Sequence, residues 1–183
     1  MDRDDRLREE KTGGERVYNG RILDFEVDRV RLASGAEVER EVVRHKGAVV
    51  VLPLHENGRV ELVRQYRYPP DAILIELPAG KLDPGEIPGE CAMRELAEET
   101  GWRATEIHEL GSFFTTPGFS DEILHAFVAT GLAPAPDVVP DPDEAIENLA
   151  MTMDETLEAC RDGRIRDSKT LAVLLLARLQ GWI

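Results

Sequence analysis

Glu95, Glu98 and Glu99 stand in the run Arg94-Glu-Leu-Ala-Glu-Glu-Thr-Gly101, and on a helix their i, i+3 and i+4 offsets gather three carboxylates on one face. Clustered carboxylate oxygens at a helix end suit a hard cation such as Mg²⁺, which prefers oxygen ligands and shares them with phosphate groups. Local stability opposes the arrangement. Like charges at i, i+4 repel, and Glu98 and Glu99 lie in the last turn before Gly101, where the helix dipole disfavours anions. A solvated acidic face with an Arg94–Glu98 pair is the alternative reading. The loop ahead of the helix favours the cation, because Leu77-Pro-Ala-Gly80 and Asp83-Pro-Gly-Glu86 make a strand, tight loop and helix unit that brings backbone close to a ligand.

The charge balance agrees. The chain has 183 residues, 22 Lys+Arg against 36 Asp+Glu, and a formal net charge of −14. The excess is concentrated: residues 86–99 hold five Glu against Arg94 alone, and residues 137–158 hold eight carboxylates and no Lys or Arg. Such a balance excludes a general duplex-DNA or anionic-membrane binder, since both need a cationic face. Cys91 and Cys160 have no CxxC or His partner at ligand spacing and read as reduced, packed thiols of a cytoplasmic protein. The highly charged start has no apolar signal-peptide core, and the longest apolar stretch, Leu171 to Ala177, is too short to span a membrane. His45, His55, His108 and His125 lie in no HExxH or triad context and read as structural.

The elements that must position these groups follow from periodicity. Residues 1–14 read as a flexible charged tail. Residues 15–45 read as an antiparallel β meander, with Leu23, Phe25 and Val27 alternating with polar neighbours, then Ser34-Gly35, then residues 37–42. Too short for its own core, it should pack elsewhere. Residues 46–183 form the main domain. Its strands are expected at 48–52, 60–66, 73–77, 113–114, 123–129 and 145–151. Its helices are expected at about 89–100, 154–160 (with Thr152 and Glu155 as a capping box) and 168–180. Without a regular βαβ rhythm the class is α+β, a mixed sheet covered by helices on both faces.

Gly80, five residues, Glu86, seven residues, Arg94-Glu95-Leu96, one residue, Glu98-Glu99, one residue, Gly101 and a hydrophobic residue resembles the complete signature of the Nudix hydrolases. Only Trp102 departs, where an aliphatic residue is usual. The resemblance implies an α/β/α sandwich that hydrolyses a nucleoside diphosphate linked to another moiety. It implies Mg²⁺, with Mn²⁺ or Zn²⁺ as substitutes, held by Glu95, Glu98, Glu99 and the backbone carbonyl of Ala79. Arg94 and Glu86 would orient these ligands, and Gly80 would bring backbone close to substrate.

Outside that box, Pro117 within Ser112–Glu122, the Gly20-Arg21-Ile22-Leu23 segment, Val63-Arg-Gln-Tyr-Arg67 and the Asp167-Ser-Lys-Thr170 helix start resemble the ADP-ribose pyrophosphatase branch. In that branch the meander is exchanged or packed across a homodimer. Carried onto matching positions, Arg21 and Ile22 would contact adenine, Arg67 adenine or phosphate, and Glu122 of the partner subunit the terminal ribose. The loop from Asp141 to Glu147 would supply the general base or water-positioning carboxylate, Glu144 first and Glu147 second. The expected reaction is Mg²⁺-dependent hydrolysis of ADP-ribose to AMP and ribose 5-phosphate. The alternatives are another nucleoside diphosphate derivative as substrate, or a sensor that binds ADP-ribose without cleaving it. Neither nucleic acid nor membrane is an expected partner.

Overall fold

The computed structural model describes residues 4–138 and 145–183, in two compact units: Met1–Lys46 with Phe114–Ile123, and Gly47–Phe113 with Leu124–Ile183.

In the first unit, one 3-10 turn (Asp5–Leu7) precedes β1 (Glu10–Asn19), β2 (Leu23–Arg31) and β3 (Glu37–His45), an antiparallel sheet in the order β1-β2-β3. The expected tail is therefore too long, since Glu10 to Gly14 already pair with Asp28 to Arg31. The physical reason lies in the charges that made the segment look like a tail. They form a cross-strand ladder in which Lys11 Nζ lies 2.5 Å from Asp28 and Arg44 reaches Glu26 at 3.0 Å and Asp28 at 2.9 Å. Gly14 is required here, because its φ is 151° and a Cβ would fall 2.6 Å from Asp28 Oδ1. Among the sheet's apolar side chains Val30 is buried, whereas Val17, Tyr18 and Leu23 are exposed, as is Ile22 in the β1–β2 connection. Residues 114–123 join this unit through Val43 N–H to Phe119 O at 2.7 Å.

The second unit contains β4 (Ala48–Pro53), β5 (Arg59–Arg67), β6 (Ala72–Glu76), β7 (Ala79–Lys81), α1 (Pro88–Thr100), β8 (Trp102–Arg103), β9 (Glu106–Phe114), β10 (Ile123–Thr130), β11 (Ala133–Pro134), β12 (Ile146–Thr152), α2 (Met153–Arg161) and α3 (Ser168–Leu179). β7-β4-β10-β9 is a mixed sheet, with β10 parallel and β7 antiparallel to β4. β12-β5-β6 is antiparallel. The strand expected at 113–114 is only the end of β9, whose earlier residues Glu106, His108 and Glu109 hide it from an apolar pattern.

β4 is buried along its whole length, as a strand covered on both faces should be. Its alternate side chains enter two different cores. Val50 and Leu52 meet Val60, Leu62, Val173 and Ala177, while Val49 and Val51 meet Cys91, Ala92, Leu96 and Phe127. So α1 covers one face, and α3 and β5 the other, which is the α/β/α layering expected. The Thr152–Glu155 capping box is present. Among the described residues no helix is long and apolar enough to cross a membrane.

Candidate active site

β7 pairs with β4, placing Gly80 opposite Val49 and Ala79 opposite Val50, and the chain then turns into α1. The loop is closed by Glu86 N–H to Asp83 O at 3.0 Å and Asp83 N–H to Glu86 Oε2 at 2.9 Å. Pro88 opens α1 at a position where its missing N–H costs nothing. Gly101 ends it in the left-handed conformation, φ 71°, its N–H bonded to Ala97 O. Helix and strand ends thus face each other across a short loop, with the carboxylates of α1 over β7.

Arg94 is the hub. Its guanidinium grips both Glu86 oxygens at 2.9 Å and reaches Glu95 Oε1 at 2.7 Å and Glu98 Oε2 at 3.0 Å. The expected Arg94–Glu98 pair exists, but as one arm of a network. Hydrogen bonding to Arg94 is the main cause that pulls Glu86 down to about 2, and the same bonds raise Arg94 further above its ordinary value. Cys91 lies against this network, accepting from Arg94 at 3.2 Å, and burial is the main cause that pushes its thiol up to about 12. It is an inert packing thiol, as expected of the sequence.

Glu99 is buried, and its Oε2 accepts the Ala79 N–H at 3.0 Å. Glu95 packs against Gly80 so closely that any side chain there would collide with its carboxylate. Among the described residues no three His, Cys, Asp or Glu side chains are grouped as a metal ion needs them, and Arg94 is paired with both Glu95 and Glu98. The residues nonetheless fit a hard divalent cation. All donors are oxygens, they stand at a helix end beside the Ala79–Gly80 backbone, and Gly80 forms a cradle for the Glu95 carboxylate.

Arg67 lies on the same unit, and its guanidinium forks onto Glu76, Nε to Oε1 at 3.1 Å and Nη2 to Oε2 at 2.8 Å. Glu76 is only 1% exposed and also receives Lys169. Burial works to raise its pKa, but the two cations win and hold it below the ordinary carboxylate range. The Arg67 pKa is raised chiefly by this bond, and the charges of Glu76, Glu99 and Asp167 add to it.

Glu147 is engaged elsewhere, by Arg64. Asn148, its neighbour on β12, donates to Thr100 O at the end of α1 at 2.7 Å, so Glu147 points to the opposite face, where Arg64 holds it at 2.7 Å. Glu144 lies outside the described residues. In the first unit, Arg21 and Ile22 line a cavity of about 220 Å³ with Arg44, His45 and Lys46. Glu122 is held there by Thr115 Oγ1 at 2.5 Å and faces His45 Nδ1 at 3.3 Å. Sequence reading missed Asn148, Glu76 and Lys169 as part of the site's framework. The Asp167-Ser-Lys-Thr170 helix start was the signal for Lys169, whereas Asn148 had none.

Comparison with known proteins accords with this geometry. Residues 43–174 match the family model described as the NUDIX domain. The chain is 42% identical to the methanol dehydrogenase activator of Bacillus methanolicus over 96% of either chain. It is 37% identical to the ADP-ribose pyrophosphatase of Bacillus subtilis over 94% of either chain. Among solved structures, an ADP compounds hydrolase superposes with a TM-score of 0.84 at 22% identity, covering 96% of both chains, which is a likeness of fold.

Proposed function

The chain belongs to the Nudix family and is a hydrolase, and from that premise we propose that it cleaves the pyrophosphate bond of ADP-ribose to AMP and ribose 5-phosphate with Mg²⁺. The observation that carries the reading is the cradle between β7 and the C-terminal half of α1. Gly80 lies against Glu95, the Ala79 N–H holds Glu99, and Arg94 gathers Glu86, Glu95 and Glu98.

Glu95, Glu98 and Glu99 with the Ala79 carbonyl would hold Mg²⁺. Bound there, the ion supplies neutralisation of phosphate oxygens and a lowered pKa for a coordinated water. The residues of the chain do the rest. Glu86 fixes the plane of Arg94, and Arg94 fixes the reach of Glu95 and Glu98. Arg67, oriented by Glu76, offers a cation to the substrate's phosphates beside Glu99. Glu144 is the carboxylate that positions the attacking water, and Glu147, engaged by Arg64, is the weaker choice. Arg21 and Ile22 receive adenine, and Glu122 of the partner subunit receives the terminal ribose.

The same reading makes the protein a cytoplasmic homodimer. Val17, Tyr18 and Leu23 on the small sheet and Ile22 in the β1–β2 connection are exposed, and a second copy of the chain would cover them.

A panel of ADP-ribose, GDP-mannose and NADH with Mg²⁺, run in ¹⁸O-labelled water with product analysis, tests the reaction. ADP-ribose should be the best substrate, and a large preference for either competitor overturns the assignment. Tight calorimetric binding of ADP-ribose without product would favour the sensor instead. The resemblance to a protein named methanol dehydrogenase activator supports a second reading, action on behalf of a dehydrogenase. Assay of a methanol dehydrogenase with and without the chain tests that reading.

A further inference from the structure

Three successive residues ahead of the cradle are fixed by three different elements. The Leu77 N–H donates to Thr170 Oγ1 of α3 at 2.9 Å, the Val51 N–H of β4 donates to Pro78 O at 2.9 Å, and the Ala79 N–H donates to Glu99 of α1 at 3.0 Å. The first of these is the one that local sequence does not require. It links residues 93 apart, and both Leu77 and Thr170 are completely buried.

The direction of the Thr170 hydroxyl is determined. Its proton goes to Asp167 Oδ2 at 2.7 Å, and the same carboxylate oxygen caps α3 by accepting the Thr170 N–H at 2.9 Å. A hydroxyl that gives its proton to Asp167 turns a lone pair toward Leu77. One residue earlier, Glu76 is held by Lys169, which also contacts Asp167 at 3.0 Å. The first turn of α3 therefore grips two neighbouring residues, Glu76 by its side chain and Leu77 by its backbone. Both lie just before the Ala79 carbonyl.

We propose that Thr170, oriented by Asp167, is a positioning residue for the metal-binding loop: by holding the Leu77 amide it sets the place of the Ala79 carbonyl relative to Glu95 and Glu99. This rests on the metal-site reading given above. Thr170 touches neither substrate nor metal and acts only through the Leu77–Ala79 backbone. Removing its acceptor leaves a buried N–H without a partner, which the loop relieves by shifting.

The test is direct titration of the full chain with Mn²⁺, read by electron paramagnetic resonance, alongside Mg²⁺-dependent turnover of ADP-ribose. Thr170→Val keeps the shape and removes the acceptor, and Thr170→Ser restores it. T170V should bind Mn²⁺ roughly 10-fold more weakly, the scale expected when an outer partner of a metal ligand is lost. T170S should bind as the wild type does. A folded T170V with unchanged Mn²⁺ affinity overturns the proposal, even if its melting temperature falls. Should T170V fail to fold, Asp167→Ala, which removes the oxygen that takes the hydroxyl proton, replaces it with the same expected and overturning results. A wild-type chain that binds no Mn²⁺ overturns the metal site itself, and so the two readings fail distinguishably.

Discussion

A Cβ on Gly80 would fall 1.8 Å from Cδ of Glu95, closer than any real contact permits. The smallest residue of β7 and the first carboxylate of the α1 cluster are thus fitted to each other. Gly80 lies on a strand that pairs with fully buried β4, and so the strand has little freedom to retreat.

Gly80→Ala should therefore displace the Glu95 carboxylate while leaving the cores intact. We expect turnover to fall about 100-fold or more, with an unchanged circular dichroism spectrum. Steady-state kinetics across a Mg²⁺ series checks it, and near-normal activity would remove Glu95 from the site.

Glu99→Gln keeps the size of the side chain and an acceptor for the Ala79 N–H, but loses the charge. Activity should drop by at least about two orders of magnitude, the scale of losing a charge-stabilising group, with the melting temperature within a few degrees. Wild-type turnover by this variant would refute the metal assignment.

Glu86 titrates at about 2 in the folded protein against an ordinary 4.5, chiefly through its bonds to Arg94. A depressed carboxylate stabilises the fold above its unfolded pKa and loses that contribution as pH falls through the folded one. Stability should therefore decline between about pH 4.5 and about pH 2, and Glu86→Gln should flatten that part of the curve. Urea denaturation at a series of pH values reads both.

Asn148→Ala deletes the donor to Thr100 O at the end of α1. Loss of one partly buried hydrogen bond should cost about 1 kcal/mol, or a drop of roughly 2–4 °C in Tm for a domain of this size. Calorimetry checks the stability. A kcat loss exceeding the stability effect would add Asn148 to the residues that hold Glu99 in place.

Much of this was legible in the sequence because it is local. The α1 carboxylates, the Pro88 start, the Gly101 stop and the Glu86–Arg94 relation all fall within about twenty residues, where helical spacing decides neighbours. β4 was legible as an unbroken apolar run. What sequence hid is long-range or ionic. Thr170 meets Leu77 and Lys169 meets Glu76 across most of the domain, and no periodicity encodes such pairs. The strand from Glu10 was hidden for another reason, because Lys11 and its neighbours pair through charge, and charge runs read as solvated tails. Glu147 was the second choice that the family resemblance gave in the loop from Asp141, and strand alternation turns it to Arg64.

Arg94 also bears on how the enzyme comes into being. A tethered counter-ion already sits among Glu86, Glu95 and Glu98, so their mutual repulsion is quenched by the chain itself. On the proposed metal site, folding then needs no divalent ion to quench these charges, unlike small zinc modules that unfold when stripped. Chelation should then silence the enzyme reversibly while its melting curve stays nearly in place, so that the fold is complete before the ion arrives.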